Sequence, residues 1–408
     1  MKKSLNLLLG LSLAILCFCC DPDKEPLTPT VPATGAITPV GTSEGPVQTA
    51  SIGPAGGTIQ SADQRLTISI PAGALTESKT ISIQPIGNHC PAGAGQAFRL
   101  TPHGLTFAKA ARITFQYNEH EVNGSAPEAL QVAYQTDKGH WQAPVVKGLD
   151  TTIHTVTVET THFSDWALFK RMFINPLTAI VDPGSKVQLD VFETVAQTSS
   201  DDELVLHLPV RTDAKHLDRW QLTGEGTLTP NKTSADYQAP SSIPATNPVA
   251  VSIFLKVSVT IEGREYKDIR LISNVYVAPE GISVQIDGGD WRTFPGGANI
   301  NANHNVVTGK IGSESASVIW KGAPNGTYHW TKSTDVAFNL LAGPMIYQHI
   351  YGTQATVSGG SLKVDDSHPD WALGTFILNP AGWIRTSTPL DPMGTANIKG
   401  VFRMKRVQ

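Results

Sequence analysis

His162, Phe163 and Ser164 place an imidazole, an apolar ring and a hydroxyl within three consecutive residues. If this stretch is extended, His162 and Ser164 share one face, and Phe163 points the other way into a core. A general base would then lie beside a nucleophile. On a flat strand the two side chains are too far apart for a direct hydrogen bond, so chemistry here also requires a backbone kink. The alternative interpretation is a packed terminal strand that leads to Trp166.

Other enzyme signatures are not supported by the sequence. Asp165 alternates to the face opposite Ser164, which argues against a Ser-His-Asp triad. The chain has no nucleophile elbow, phosphate loop or dinucleotide fingerprint, and no recognised spacing of metal ligands. The sequence therefore predicts no metal, no cofactor and no enzymatic activity other than self-cleavage.

Tryptophans are concentrated near the C-terminus, where five of the eight follow residue 279. Aromatic faces stack on sugar rings, so Trp330, beside His329, and Trp371, beside Asp370, are candidate glycan-binding residues. Tryptophan is also a highly buried residue type on average, and a β-domain of this size needs large core residues. A role in the core is the favoured interpretation of both side chains.

The composition favours an all-β protein with several cores. The chain has 408 residues, 36 glycines and 28 prolines, a length suited to more than one domain and a turn content suited to many short strands. The net charge of −4 gives no basic footprint for nucleic acid. We predict three β-sandwich or β-barrel-like domains in series, after a signal peptide and a disordered linker.

Residues 1–20 are similar to the signal peptide of a bacterial lipoprotein. A basic start precedes an apolar run that is too short for a membrane span. Cys20, preceded by Cys19, is the predicted lipid acceptor. Residues 21–48 are rich in Pro and Thr with few large apolar side chains, so they are predicted to be a linker without a core. The resemblance to Bacteroidetes-type lipoproteins implies a membrane anchor and an outer-membrane location, periplasmic or surface-exposed.

Residues 49–170 alternate apolar and polar side chains in runs that are typical of half-buried strands. These runs are Leu66 to Ile70, Thr80 to Ile83, Arg112 to Tyr117, Leu130 to Tyr134 and Thr152 to Val158. Gly56-Gly57-Thr58, the segment Ile70-Pro71-Ala72-Gly73-Ala74-Leu75 and His162-Phe163-Ser164 resemble the ZU-five domain of zonula occludens proteins, netrin receptors and ankyrins. The resemblance implies a β-sandwich that serves as an interaction module.

The same resemblance implies a specific chemistry for His162-Phe163-Ser164. Self-cleaving relatives within the ZU-five family are cut between the Phe and the Ser of this motif. Carried over, Ser164 would attack the carbonyl of Phe163, and His162 would act as its base. The ester that forms would then hydrolyse.

Two further β-domains are predicted after the first. Residues 171–278 resemble bacterial immunoglobulin-like domains, through Trp220 before a Gly-rich segment and the stretch Tyr237-Gln238-Ala239-Pro240. Residues 279–408 show short alternating runs and form a C-terminal β-domain of unknown function.

The predicted function is binding or scaffolding at the cell envelope, by non-catalytic domains that recognise an unknown protein or glycan. Self-processing at Phe163-Ser164 and glycan binding remain as alternatives.

Overall fold

The structure is a computed structural model that describes residues 35–195, 204–256, 258–261, 263–301, 303–366, 368–386 and 393–407. The prediction of an all-β protein is confirmed, because strands account for 61% of the described residues and helices for 3%. Cys20, the leader and the linker as far as residue 34 lie outside the described residues. Where the chain is described, it contains no helix long and apolar enough to cross a membrane.

The first unit is a sandwich of two antiparallel sheets. Its strands are Gln48–Ile52 (β1), Gly57–Gln60 (β2), Leu66–Ile70 (β3), Lys79–Ile86 (β4), Gly93–Thr101 (β5), Thr106–Gln116 (β6), Leu130–Gln135 (β7), Trp141–Ala143 (β8), Val146–Asp150 (β9), Thr155–His162 (β10) and Asp165–Lys170 (β11). Short 3-10 helices at Glu119–Val122 and Pro127–Ala129 separate β6 from β7. One sheet has the order β2-β3-β6-β10-β9, and the other begins β1-β4-β5-β11-β7-β8. Their inward-facing apolar side chains form one core.

Two glycine-containing turns meet at one end of this sandwich. Gly56 has a φ of +77°, and a Cβ atom there would lie 2.5 Å from the carbonyl oxygen of Ile70. Only glycine permits both the left-handed backbone and this close approach. The amide of Gly73, also at φ +77°, donates to the Pro54 carbonyl. The Gly-Gly entry and the Ile-Pro-Ala-Gly-Ala-Leu segment are therefore spatial neighbours.

Residues 35–47 form an extended strap on the first unit, so the prediction of a disordered linker must be corrected for these residues. Ile37 bridges to His140 and Ser43 to Ile86. The carbonyl and hydroxyl oxygens of Thr38 accept hydrogen bonds from Gln135 Nε2 and from Trp141 Nε1, respectively. Hydrogen bonds from buried polar groups of the unit hold the strap, which explains why composition alone did not reveal it.

The second unit is also built from two sheets. Its strands are Met172–Asn175 (β12), Thr178–Val181 (β13), Lys186–Val195 (β14), Leu204–Arg211 (β15), Leu217–Thr223 (β16), Thr227–Asn231 (β17), Ser234–Gln238 (β18), Val249–Leu255 (β19), Val259–Ile261 (β20), Arg264–Tyr266 (β21) and Arg270–Val277 (β22), with a 3-10 helix at Ala214–His216. One sheet has the order β13-β22-β19-β16. The other contains β15-β14-β18-β17, with β12 paired to β14, and it continues directly into the first unit because β15 pairs with β8.

The third unit is a strongly curled sheet. Its strands are Gly281–Ile286 (β23), Arg292–Phe294 (β24), Gly296–Asn299 (β25), Asn305–Ile311 (β26), Glu314–Trp320 (β27), Gly326–Tyr328 (β28), Val336–Ala342 (β29), Met345–Gln348 (β30), Ile350–Tyr351 (β31), Thr356–Val357 (β32), Leu362–Asp365 (β33), Trp371–Arg385 (β34) and Met393–Lys405 (β35). β24 pairs with β23 at one end of the sheet order, and β25 pairs with β26 at the other. Only Pro295 separates β24 from β25, so the sheet closes on itself around a core that contains Trp320, Phe338 and Phe402.

Candidate functional site

The segment Phe163-Ser164 is a crossover between the two sheets of the first unit. β10 ends at His162 in one sheet, and β11 begins at Asp165 in the other. A register shift between Thr160 and His162 precedes the crossover. The predicted continuous terminal strand is therefore divided into two strands, which belong to different sheets.

The hydroxyl of Ser164 donates its hydrogen bond to a backbone carbonyl and not to His162. The Ser164 hydroxyl is buried and donates to the backbone carbonyl oxygen of Gln135. A serine hydroxyl carries one proton, so in this arrangement it does not donate to an imidazole. His162 Nδ1 lies 3.3 Å from Thr160 Oγ1, and its ring meets Tyr134 edge-on at a centroid distance of 4.5 Å.

Phe163 anchors the crossover in the core, as its predicted position on the opposite face requires. Its side chain is 1% exposed and packs at 4.9 Å, edge-on, against Phe107. Its amide donates to the Leu105 carbonyl, and its carbonyl accepts from the Gly104 amide at 3.2 Å. The carbonyl that self-cleavage would attack is thus polarised by one backbone donor, while the hydroxyl that would attack it is held by Gln135.

Asp165 forms a two-point ion pair with Arg99. Arg99 Nε and Nη2 donate to the two carboxylate oxygens at 2.8 and 2.7 Å. The hydrogen bond to Asp165 raises the pKa of Arg99, and partial burial opposes this effect. Arg99 Nη2 also contacts the Gly41 carbonyl of the strap at 3.2 Å. Both carboxylate oxygens of Asp165 are therefore engaged by Arg99.

A cleft of about 350 Å³ opens beside the crossover. Its lining comprises Val40 of the strap, Arg99, His103, the turn from Gln135 to Asp137, and Asp165. His103 Nδ1 lies 3.8 Å from the exposed carboxylate of Asp137. The charged groups are largely paired with one another, an arrangement that suits recognition of a polar ligand more than catalysis.

Sequence reasoning missed Arg99, His103 and Asp137 as cleft residues. Arg99 and Asp165 are 66 positions apart, and no spacing rule connects them. They become neighbours because β5 and β11 pair in one sheet, with Asp165 opposite Arg99. Strand pairing of this kind is a long-range property that periodicity does not specify.

Trp330 belongs to the core of the third unit, so it offers no open face for a sugar. It is 5% exposed, and its indole Nε1 donates to the Ile377 carbonyl at 2.9 Å. It also packs edge-on against Phe338. The favoured core interpretation agrees with this position, and Trp330 is removed from the candidate glycan site.

Trp371 lies at the contact between the second and third units. The guanidinium of Arg403 sits 4.9 Å from the centre of its ring, and Lys405 Nζ sits 5.7 Å from the same ring. The side chain packs against an apolar cluster of Ile243, Tyr276, Ala278, Leu373 and Val401, which draws on both units. Two cationic side chains thus make cation–π contacts with the ring of Trp371.

A second side-chain cluster joins all three units. Asp365 of β33 is 7% exposed and accepts a hydrogen bond from Tyr276 Oη of β22 at 3.3 Å. Its other carboxylate oxygen lies 3.5 Å from Nδ1 of His120, on the 3-10 helix Glu119–Val122 of the first unit. Sequence reasoning did not connect these residues, since they are far apart in the chain.

In the described part of the chain, no group of three or more His, Cys, Asp or Glu side chains is placed to hold a metal ion. Cys90 is a buried free thiol, and burial raises its pKa well above the usual range, which opposes reactivity.

No protein-family model matches this chain, and no curated protein matches it either.

Proposed function

We propose that this chain is a lipid-anchored binding or scaffolding protein of the cell envelope, in which the β-units present a ligand surface as one rigid body. The observation that carries the proposal is the joining of consecutive units by backbone pairing and buried side chains. Flexibly linked units would lack such joints.

The joint between the first and second units has two parts. Leu204 and Val205 of β15 pair with Ala143 and Gln142 of β8, so one sheet runs through both units. On another side, the hairpin β20–β21 contributes Ile261 to the core of the first unit, and Tyr266 Oη donates to the Leu149 carbonyl. Contacts at two separate places resist bending in more than one direction.

The joint between the second and third units combines apolar and ionic contacts. The cluster around Tyr276, Leu373 and Val401 is buried. Arg403 Nη1 donates to Asp182 Oδ1 and to the Ala278 carbonyl, both at 2.8 Å. The three β-units together form one compact body, which supports a rigid arrangement.

The strap contributes to the proposed ligand surface. Val40 and the carbonyl of Gly41 lie at the cleft. The ligand is a protein or glycan with polar groups that complement Arg99, His103 and Asp137.

Self-processing and glycan binding have less support than this function. The Ser164 hydroxyl donates to a backbone carbonyl, Trp330 is in the core, and the ring of Trp371 contacts Arg403 and Lys405. Both alternatives remain predictions, and a denaturing gel of wild type and Ser164→Ala tests self-processing.

Photo-crosslinking in cells tests the binding part of the proposal. A photoreactive residue replaces Asp137, whose side chain is exposed at the cleft, and in a control it replaces the exposed Ile311 of the third unit. A light-dependent adduct of one defined mass is expected from position 137 and not from position 311. Adducts that are equal at both positions, or absent from 137, would contradict a ligand site in the cleft.

Fractionation tests the anchor. Cys20→Ala is expected to release the protein from the membrane fraction, whereas Cys19→Ala is expected to leave it there. Retention of the Cys20→Ala protein would show that Cys20 is not the lipid acceptor.

A further inference from the structure

The junction around Asp365 is the place where the three units are connected through titratable side chains. Asp365 comes from the third unit, Tyr276 from the second and His120 from the first. Asp365 is almost fully buried, while the side chain of His120 is about one quarter exposed. A buried carboxylate is stable only when donors or cations satisfy it, so the protonation of His120 affects how well the third unit docks.

The charges around His120 favour its protonated form. The hydrogen bond with Asp365 raises the pKa of His120, burial opposes this, and the charges of Asp365, Asp366 and Glu119 raise it further. Asp366 is itself paired with Arg406. Burial, followed by the charge of Asp365, keeps the pKa of Tyr276 well above its usual range, so Tyr276 remains a neutral donor.

Other contacts of the third unit are independent of His120. The apolar cluster around Leu373 and Val401 and the pair formed by Arg403 with Asp182 join the third unit to the second. His120 is the described side chain that joins the third unit to the first by an ion pair, at 3.5 Å. A change at His120 therefore alters how tightly the third unit is held without removing the rest of the joint.

We propose that His120 and Asp365 form a pH-sensitive latch, which holds the third unit against the first when His120 is protonated and loosens when His120 loses its proton. This latch goes beyond the proposed binding function. It would let external pH change the rigidity of the assembled units.

The direction follows from proton linkage. A histidine whose pKa is raised in the docked state binds its proton more tightly there than in the undocked state, where the pKa is about 6.5. The stabilisation by the latch is complete below that value. It is lost as the pH rises from there through the raised pKa of the docked state, and the undocking constant increases by at most about tenfold per pH unit.

Thiol labelling can measure undocking in the full chain. Val401 is buried at the joint, so Val401→Cys should react with a thiol reagent mainly when the third unit has moved away. The labelling rate of the peptide that spans position 401, corrected for the thiolate fraction, is followed by mass spectrometry from pH 6 to pH 9. Cys90, buried in the first unit, reports global unfolding in the same sample.

The corrected rate at position 401 is expected to rise several-fold with pH while Cys90 stays protected. Adding His120→Gln should give a rate that is already high at pH 6 and independent of pH. The matched control is His216→Gln, because His216 lies 3.4 Å from Glu193 within the second unit alone; it should keep the wild-type slope.

Two outcomes would overturn the latch. The first is a flat corrected rate in the Val401→Cys protein itself, which needs no His120 variant to interpret. The second is a slope that survives in His120→Gln while Cys90 remains protected. The crosslinking at position 137 does not depend on either result, so failure of the latch and failure of the binding function are separate outcomes.

Discussion

Ser164 illustrates how one hydrogen bond decides the role of a residue. Its type and its spacing from His162 allow nucleophilic chemistry, yet its only proton goes to the Gln135 carbonyl. The bond joins the crossover to β7, beside the point where Asp165 pairs with Gln135. The geometry thus gives Ser164 a structural function, which is to fix the path of the chain between the sheets.

We predict that Ser164→Ala lowers the free energy of unfolding by about 1 kcal/mol through loss of this buried hydrogen bond. Ser69→Ala, at an exposed position of β3, should change it by less than about 0.5 kcal/mol. Urea unfolding measures both changes. On a denaturing gel, wild type and Ser164→Ala should each give one intact band. Two fragments from wild type alone would instead support self-cleavage at Phe163-Ser164.

Lys170 is a second residue to consider, because its buried environment disfavours the protonated form of its side chain. It is 5% exposed at the end of β11, and burial lowers its pKa from 10.5 to about 8, partly offset by the charge of Glu121. Its folded pKa is below its unfolded value, so the unfolded state binds more protons between these values. The free-energy cost of burying the charged Lys170 side chain is therefore fully present below about pH 8. It decreases as the pH rises toward 10.

Lys170→Met should accordingly stabilise the protein at pH 7, by up to about 3 kcal/mol. The advantage over wild type should shrink at pH 10, where folded wild type no longer carries the buried charge. Urea unfolding of both proteins at the two pH values gives the comparison, and other titrating groups cancel in the difference. An advantage that is equal at both pH values would show that the charge of Lys170 is not responsible.

The strap at residues 35–47 shows how an element can depend on its surroundings more than on its own sequence. It has almost no apolar side chain of its own in the core, and Ile37 and Val40 are exposed. It is ordered because the side chains of Trp141 and Gln135 donate hydrogen bonds to Thr38. A buried indole N–H without an acceptor is unfavourable, so the strap completes the first unit.

Thr38→Val removes the acceptor of Trp141 Nε1 while preserving the shape of the side chain. We predict a loss of about 1–3 kcal/mol in the free energy of unfolding. Thr38→Ser retains the hydroxyl and should remain close to wild type. Chemical unfolding followed by tryptophan fluorescence makes the comparison. Equal stabilities for the Val and Ser variants would mean that the strap does not support the unit through Thr38.

Sequence reasoning succeeded where strands are specified by local alternation. Leu66–Ile70 has the predicted bounds, and the run from Leu130 to Tyr134 lies within β7. It failed at the crossover, because alternation continues through Phe163 and Ser164 although the chain changes sheets there. Periodicity records which side chains are buried, whereas the sheet a strand joins depends on distant partners such as Arg99 and Gly104.

At the scale of the whole molecule, composition and strand patterns predicted an all-β chain. They did not predict the joints, since the pairing of Leu204 with Ala143 and the contact of His120 with Asp365 link distant residues. The sequence predicts three units in series. In the structure they are connected through a shared sheet, a shared core and the junction of His120, Tyr276 and Asp365. The proposed function depends on these joints.

The distance between the first and third units tests the rigid body most directly. Spin labels replace the exposed Ile153 and Ile311, with Cys17, Cys19 and Cys20 changed to Ser and the buried Cys90 retained. A control pair of spin labels at positions 153 and 69 lies within the first unit. It gives the width of the distance distribution that the flexibility of the labels alone produces. At pH 6, pulsed electron paramagnetic resonance should show a single distance between 153 and 311, with a width close to that of the control pair. A broad or multimodal distribution at pH 6 would contradict the rigid arrangement.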